Sequence, residues 1–320
     1  MAKFGVSFYS YQWALKHGRM TVEDCLRAVS ELPGADGIEL LATQTPPADY
    51  PYPKKDQIEK WKELLEEYKV RPVCFDSQYP GYTLPQRADE RETFLRSEID
   101  YASKLGFPMM RIAVKDLPIV ERCLGYAEDH NVMMNLEIHV PMTITGQEVT
   151  AYAEMIDRTG TSFAGIMPDM AIFQTVLPRR ILRKALYQGA DPQVVEKIEQ
   201  AFSAGENMAE WAEKIRVDGL DHGLDDLLFF SSINVTSRPE ELRLIARYIT
   251  HFHAKFYHVE EDLQELGVRY DRALPILKEL GYTGYLCSEY EEHRMYFGDD
   301  EPNEIEQVRL QHEMMHRYLD

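Results

Sequence analysis

The run VMMNLEIHVP, residues 132–141, places two polar side chains, Glu137 and His139, at the end of an apolar stretch that stops at a proline. Residues two apart on a β-strand point to the same face, so the carboxylate and the imidazole share one side. An unpartnered charge there would cost several kcal/mol, roughly. We therefore predict a buried strand that ends at a loop and delivers two polar groups to a site where they have partners.

Short apolar strands alternate with amphipathic helices along the rest of the chain. The pattern predicts eight strands, at 3–11, 37–41, 71–78, 109–114, 132–139, 163–170, 249–256 and 282–290. It predicts helices at 21–32, 56–69, 88–106, near 117–130, near 147–158 and from about 302 onwards. Eight strands that alternate with helices are typical of a (β/α)8 TIM barrel, an α/β fold. A doubly wound open sheet is the competing architecture, but no GxGxxG motif follows the first strand.

The regular spacing breaks between the sixth and seventh predicted strands. These strands lie about eighty positions apart, and intervening segments such as RRILRKALYQG and PQVVEKIEQAFS have the pattern of helices. We expect a helical insertion at about 175–235, carried on a loop of the barrel. The expected organisation is one (β/α)8 domain that covers residues 1–320 and includes this insertion.

Charge and composition exclude several classes of partner. The chain has 35 Lys and Arg residues against 54 Asp and Glu residues, a net charge of −19. This balance argues against a nucleic-acid partner, which needs clusters of basic residues. No apolar run approaches the roughly 20 residues of a membrane span, and the N-terminus lacks the apolar core of a signal peptide. With four scattered cysteines and no CxxC pair, we expect a cytoplasmic protein without a membrane partner.

Polar residues recur at the C-terminal ends of four consecutive predicted strands, where a barrel of this type forms its active site. Strand five carries Glu137, strand six ends in Asp169 and strand eight ends in Glu289. Strand seven offers His251 and His253 on one face, and the residues alone do not decide between them. Three neighbouring carboxylates require a cation. An oxygen and nitrogen donor set suits one divalent metal, best Mn²⁺, with Mg²⁺, Co²⁺ or Zn²⁺ as alternatives.

Four further residues are candidate contacts for a substrate. Lys255, His258 and Arg294 lie on or just beyond strands seven and eight. Each of these three could equally be a solvated surface residue. Glu39 ends strand two and could bind a sugar hydroxyl, with a structural hydrogen bond as the alternative.

The order of these residues resembles the xylose-isomerase-like superfamily of divalent-metal TIM-barrel enzymes, the sugar isomerases and epimerases. The resemblance runs from the GIELL strand to the SEY strand and selects the second histidine of HFHAKF. It implies one metal with the ligands Glu137, Asp169, His253 and Glu289. Ketose epimerases of this group usually carry a histidine three residues after the metal-binding Asp, where this chain has Ile172.

The E-x-H pattern of Glu137 and His139, together with the helical insertion, resembles the large (alpha) subunit of bacterial C-glycoside deglycosidases. Those metal-dependent enzymes work with a small beta subunit on 3-oxo-glycosides. The resemblance implies a lyase, in a hetero-oligomer, that removes a proton next to the ketone and then cleaves the anomeric carbon–carbon bond. His139 is the candidate base, because its neutral form is available near pH 7.

Three other functions stay open at the level of sequence. A metal-dependent sugar isomerase or epimerase would use Glu137 and Glu289 on opposite faces of its substrate. A metal-dependent endonuclease shares the barrel in one DNA-repair family, but it requires more metal-binding histidines and tolerates a charge of −19 poorly. A non-enzymatic scaffold subunit would have no reason to keep four costly polar groups together.

Overall fold

Eight parallel strands form a nearly closed barrel in the computed structural model, which describes residues 1–42, 47–77, 88–112 and 116–320 without the side chains of residues 88, 293 and 294. The strands are β1 Lys3–Ser7, β2 Ala35–Leu41, β3 Arg71–Asp76, β4 Met109–Ile112, β5 Met133–Ile138, β6 Ala164–Pro168, β7 His251–Phe256 and β8 Tyr285–Tyr290. They pair in the order β6-β5-β4-β3-β2-β1-β8-β7. Parallel bridges from Ile166 to Ile249 and from Asp169 to His253 join the two end strands. The predicted barrel fold is confirmed.

Helices connect the strands, and their bounds complete the description. Helices α1 to α13 are Gln12–Lys16, Val22–Ser30, Lys55–Tyr68, Ala88–Leu105, Leu117–Asp129, Gln147–Thr159, Arg179–Tyr187, Pro192–Ser203, Met208–Val217, Asp225–Ile233, Leu242–Ile245, Tyr270–Glu279 and Glu304–Leu319. Short 3-10 helices lie at Phe8–Tyr11, Met170–Phe173, Pro239–Glu241, Ala246–Tyr248 and Glu292–Met295. The long segment between β6 and β7 contains α7 to α10, which pack against one another.

The first and sixth strands end earlier than the hydrophobic pattern predicts. β6 stops at Pro168, and Asp169 Oδ1 then accepts the N–H of Ala171 at 2.8 Å to begin a 3-10 helix. β1 stops at Ser7, whose side chain caps another 3-10 helix, although the predicted strand extends to residue 11. A side-chain cap turns the backbone while the following residues stay apolar and buried. Apolar content alone therefore does not reveal where these strands end.

The capping pattern at Thr21 begins α2 as predicted. Thr21 Oγ1 accepts the N–H of Asp24 at 3.1 Å, and Asp24 Oδ2 accepts the N–H of Thr21 at 2.9 Å. These reciprocal bonds supply partners for amide groups that an N-terminus otherwise leaves unpaired.

Buried charge concentrates at the C-terminal ends of the strands. The residues concerned are Glu39 on β2, Glu137 on β5, His253 and Lys255 on β7, and Glu289 on β8, each at most 7% exposed. The four cysteines are also buried, and all are free. Among the helices that the structure describes, none is long and apolar enough to cross a membrane. The fold thus places its costly polar groups at the end of the barrel where active sites of this architecture form.

His312 on α13 is a buried histidine at a different place in the fold. It is 2% exposed, and its ring centroid lies 5.8 Å from that of Phe4. Burial, with a smaller contribution from the neighbouring His316, lowers the pKa of His312 to about 3. Below about pH 6.5 the unfolded chain binds a proton at this residue and the folded chain does not. Folding stability should therefore fall as the pH decreases.

We predict that His312→Gln makes the free energy of unfolding less dependent on pH between about 6.5 and about 5. The titration of His312 contributes at most about 1.4 kcal/mol per pH unit in this range, and glutamine does not titrate. Urea unfolding at a series of pH values measures the slope. His17→Gln, at an exposed histidine, should keep the wild-type slope. The same slope in all three proteins would contradict the prediction.

A candidate metal centre at the end of the barrel

Four predicted ligands come together at the C-terminal end of the barrel. The group consists of Glu137, Asp169, His253 and Glu289, and one ligand atom from each lies within 4.8 Å of the others. Three of the residues lie on β5, β7 and β8, and Asp169 follows β6 directly. We call these four residues the ligand group. Parallel strands that end at one edge explain how residues up to 152 positions apart (289 − 137) meet in this way.

Two oxygen atoms of the ligand group have Lys255 as an ion-pair neighbour but no hydrogen bond of good geometry. Within the described part of the chain, the buried Asp169 Oδ2 and Glu289 Oε2 accept no hydrogen bond of good geometry. His253 Nδ1 lies 2.7 Å from Glu137 Oε1 and 3.4 Å from Glu289 Oε2. Three carboxylates and one imidazole nitrogen make a hard, mixed donor set without a thiol. Such a set fits one divalent cation such as Mn²⁺ or Mg²⁺.

Burial and crowding shift the pKa values of the ligand group in opposite directions. Burial, reinforced by neighbouring carboxylates, raises the pKa of Glu289 to about 8 against the opposing effect of Lys255 and His253. Burial would also raise the pKa of Glu137, but Arg111 and His253 hold it well below its usual value. The carboxylates thus disfavour the charged form of Glu289, and the nearby cations relieve this effect only in part.

Lys255 is the main cation beside the ligand group. Its side chain is 4% exposed, and Nζ lies 2.8 Å from Asp169 Oδ2, 3.6 Å from Glu289 Oε2 and 2.9 Å from Glu291 Oε2. Burial alone would lower the pKa of Lys255, but these carboxylates raise it well above its usual value. Lys255 is thus a charged ammonium group inside the site, and the surface alternative considered from the sequence does not apply.

His139 lies one residue beyond β5, with a side chain that is 36% exposed. Its Nδ1 lies 2.7 Å from the carbonyl oxygen of Val140. A carbonyl oxygen only accepts, so Nδ1 carries the hydrogen and Nε2 carries the lone pair. Nε2 lies 3.1 Å from Lys255 Nζ and 3.7 Å from Asp169 Oδ2. This tautomer directs a basic nitrogen towards the ligand group, from a position that solvent and substrate reach.

The other candidate contacts have different surroundings. Glu39 is fully buried, and its two carboxylate oxygens are hydrogen-bonded to Nε2 of His251 and Nε2 of His253. These two bonds favour the alternative of a structural hydrogen bond for Glu39, and a sugar contact stays a prediction. The side chain of His258 is 41% exposed, and its Nδ1 lies 3.4 Å from Glu292 Oε2. The side chain of Arg294 lies outside the described residues.

A cavity of about 400 Å³ opens beside Tyr257 and His258. The loops that follow β6, β7 and β8 line it, with Leu177, Pro178, Arg179, Arg183 and Leu266 among the lining residues. Burial raises the pKa of Tyr257 well above its usual value, and the charge of Glu291 adds to this effect. Tyr257 thus faces both the cavity and the acidic side chains near the ligand group.

Two charged residues of the site, the buried Asp76 and the partly buried Arg111, were not among the predicted candidates. Arg111 on β4 has Nη1 at 3.3 Å from Glu137 Oε2 and Nε at 3.3 Å from Asp76 Oδ1. Asp76 is the last residue of β3. Glu137 was predicted because a charged residue stands in an otherwise apolar strand. Arg111 within MMRIAV and Asp76 at the end of RPVCFD are charged residues in apolar strands as well, so the same reasoning would have identified both.

Comparison with known proteins gives the site a wider context. The sequence model described as Xylose isomerase-like TIM barrel matches residues 26–317. The 3'-dehydrocarminate deglycosidase alpha subunit of a Microbacterium species is 26% identical over 99% of this chain and 95% of its own length. The C-glycoside deglycosidase alpha subunit of Arthrobacter globiformis is 25% identical over 99% of this chain and 92% of its own length.

Solved structures match in fold at low sequence identity. A D-psicose 3-epimerase superposes with a TM-score of 0.60 at 11% identity and covers 99% of each chain. A D-allulose 3-epimerase from Methylomonas sp. superposes with a TM-score of 0.58 at 12% identity, over 99% of this chain and 98% of that chain. These matches agree with the TIM-barrel architecture.

We predict that the purified protein binds about one equivalent of Mn²⁺ and that Glu289→Gln weakens this binding at least about 100-fold. Glutamine removes the negative charge of a residue that would bind the metal directly. Loss of a group that only supports a ligand already lowers metal affinity about 10–100-fold. Plasma mass spectrometry and calorimetric titration measure content and affinity. Glu98→Gln changes a fully buried carboxylate outside the ligand group and should bind Mn²⁺ like the wild type. A wild-type protein that takes up no cation would contradict the assignment.

Proposed function

The chain belongs to the xylose isomerase-like TIM barrel family, and from this premise we propose that it is a divalent-metal-dependent lyase that acts on a glycoside. The proposed reaction is that of a C-glycoside deglycosidase alpha subunit, which breaks the anomeric carbon–carbon bond of a 3-oxo-C-glycoside. The observation that carries the proposal is the orientation of His139, whose basic Nε2 faces the ligand group. Full-length similarity to two deglycosidase alpha subunits supports the substrate class.

Proton removal is the first proposed step. The ketone at C3 of the sugar makes the C2 proton acidic, and His139 Nε2 accepts that proton. The Nδ1–H bond to the Val140 carbonyl holds the ring in place before and after the transfer. When bound, the cation supplies Lewis acidity that stabilises the negative charge developing on the 3-oxygen. The ammonium of Lys255, anchored by Asp169 and Glu291, adds positive charge close to the same place.

Elimination is the second proposed step. The electron pair released at C2 forms a C1–C2 double bond, and the C1–aryl bond breaks with its electron pair passing to the aryl carbon. That carbon gains one proton, either from an acid of the site as the bond breaks, or beforehand, when the phenol takes its keto form and the electron pair of the breaking bond restores the aromatic ring. The products are a 1,2-unsaturated 3-oxo sugar and the aromatic aglycone. The cavity of about 400 Å³ next to Tyr257 offers space for the aglycone.

A partner subunit belongs to the proposal. The two deglycosidase relatives are named alpha subunits, which implies a second subunit in those proteins. We extend this inference to the present chain and expect a hetero-oligomer with a small beta subunit. Assays of cleavage should therefore include such a subunit.

A metal-dependent sugar epimerase or isomerase is the second candidate. The observation that favours it is the pair of carboxylates, Glu137 and Glu289, which both approach His253 Nδ1 and could act on two faces of a sugar. The observation against it is Ile172, a fully buried apolar residue where the ketose epimerases usually have a histidine. Isomerisation without bond cleavage would identify this activity.

We predict that His139→Asn keeps its bound cation and loses about 10²–10⁴-fold in turnover, because asparagine does not act as a general base. The measurement is release of aglycone from a 3-oxo-C-glycoside, in the presence of a beta subunit, together with metal content. His17→Asn changes an exposed histidine and should be fully active. Wild-type turnover by His139→Asn would show that another group is the base.

We also predict that the Mn²⁺-loaded protein releases aglycone from a 3-oxo-C-glycoside and leaves a free ketohexose unchanged. Chromatography of both reaction mixtures distinguishes the two candidate functions. The physical reason is the missing acid–base group at Ile172. Epimerisation of the ketohexose, with no aglycone released in the parallel reaction, would replace the lyase by the epimerase.

A further inference from the structure

We propose that Glu39 is a positioning residue for the metal centre and that His251 holds Glu39 in place. In this arrangement Glu39 fixes the ring of His253 so that Nδ1 presents its lone pair to the cation. The inference rests on the proposed metal-dependent function, because it concerns the same ligand group. It gives a task to two buried polar residues that contact no substrate in that mechanism.

The two nitrogens of the His253 ring face different carboxylates. Nδ1 points to the ligand group, 2.7 Å from Glu137 Oε1 and 3.4 Å from Glu289 Oε2. Nε2 points away from it and is hydrogen-bonded to Glu39 Oε1. The ring therefore links the ligand group to Glu39. A substitution of Glu39 is expected to change the orientation of Nδ1 at the ligand group.

Hydrogen-bond chemistry makes this arrangement directional. A neutral imidazole carries one hydrogen, and an ionised carboxylate only accepts hydrogen bonds. Glu137 Oε1 is likewise within hydrogen-bond distance of Nδ1. When a cation takes the place of the hydrogen on Nδ1, Glu39 holds the remaining hydrogen on Nε2, so that the Nδ1 lone pair faces the ligand group. Carboxylates commonly act in this way on metal-binding histidines, fixing the tautomer and raising the basicity of the ligand nitrogen.

The second oxygen of Glu39 is occupied as well. His251 Nε2 lies 3.0 Å from Glu39 Oε2, and both residues are fully buried. Positions 251 and 253 alternate along β7, so their side chains project to the same face of the strand. One carboxylate from β2 thus binds two histidines from β7. With both oxygens engaged, Glu39 is unable to rotate away from His253 without breaking a bond to His251.

Asp76 is the alternative partner for His253, and the geometry disfavours it. Asp76 Oδ1 lies 3.5 Å from His253 Nε2, which is beyond the usual length of such a hydrogen bond. The same oxygen lies 3.3 Å from Arg111 Nε. Glu39 is therefore the residue that fixes the His253 ring, and Asp76 serves mainly to pair Arg111.

The position of these residues makes a purely packing role a poor explanation. Barrel interiors are usually filled by branched apolar side chains. A carboxylate and two imidazoles without solvent contact are costly there unless their bonds serve a purpose. Orientation of a metal ligand is such a purpose, and it predicts an effect on cation affinity that packing alone does not.

The test titrates Mn²⁺ into the full-length apo protein, prepared with a chelator, and follows binding by calorimetry. Glu39→Gln preserves the shape of the side chain but removes its charge. We expect the dissociation constant for Mn²⁺ to increase about 10–100-fold. Glu39→Asp keeps the charge with a shorter reach and should fall between Glu39→Gln and the wild type. His251→Gln should weaken binding less than Glu39→Gln, since it acts through Glu39. His312→Gln, at a buried histidine on α13 with no contact to Glu39 or the ligand group among those described for it, is the matched control and should bind normally.

Two further readouts separate positioning from a general structural effect. The visible absorption of the Co²⁺-loaded protein reports the ligand field and should change in Glu39→Gln. The melting temperature of each apo protein reports stability, and a merely structural role would lower it without changing the affinity or the spectrum. Where Glu39→Gln does not fold, Glu39→Asp and His251→Gln carry the test.

The outcomes separate this inference from the function on which it rests. Normal Mn²⁺ binding by the wild type, with unchanged affinity and Co²⁺ spectrum in the folded variants, would overturn the role of Glu39 and leave the metal centre intact. A wild type that binds no divalent cation would overturn both. Weaker binding and an altered spectrum in the Glu39 variants, with a normal His312→Gln control, would establish the positioning role.

Discussion

Repulsion among buried carboxylates is the constraint on which the site depends. Glu137, Asp169 and Glu289 are each at most 7% exposed and contribute ligand atoms within 4.8 Å of one another. Like charges at such distances in a poorly solvated interior interact strongly, so they require cations close by. Lys255 and Arg111 supply two, both through ion pairs with members of the ligand group. A divalent cation held by the ligand group would add further positive charge among these carboxylates.

Depth along the barrel separates the tasks of the polar residues. Glu39 and His251, fully buried, contact only other parts of the protein. The ligand group is connected to Glu39 through the ring of its member His253. His139, with 36% of its side chain exposed, lies at the outer edge, where a substrate can reach it. The buried residues proposed to bind the metal are thus adjacent to the accessible residue proposed to take the proton, and the strands of the barrel fix their relative positions.

The segment between β6 and β7 extends this outer edge. Helix α7 begins beside the cavity, and its Arg180 lies 3.1 Å from Glu292 and 2.7 Å from Asp300, both beyond β8. Helices α8 and α10 pack against α7, and α9 packs against both α8 and α10. These contacts tie the segment to the end of the barrel that carries the ligand group, and we propose that residues 1–320 form one domain. The cavity beside Tyr257 is a product of this arrangement.

The order of strands and helices, and the polar residues at strand ends, could be predicted from the sequence because both depend on short-range periodicity and on the geometry of parallel strands. That is why Glu137, Asp169 and Glu289 were predicted together. The partner of Glu39 was not predictable, because His251 lies 212 positions away and only the barrel brings them into contact. For the same reason the residues alone left His251 and His253 equivalent. They share a face of β7, and only the closed barrel, which brings Glu137 of β5 and Glu39 of β2 to that face, decides which imidazole reaches the ligand group.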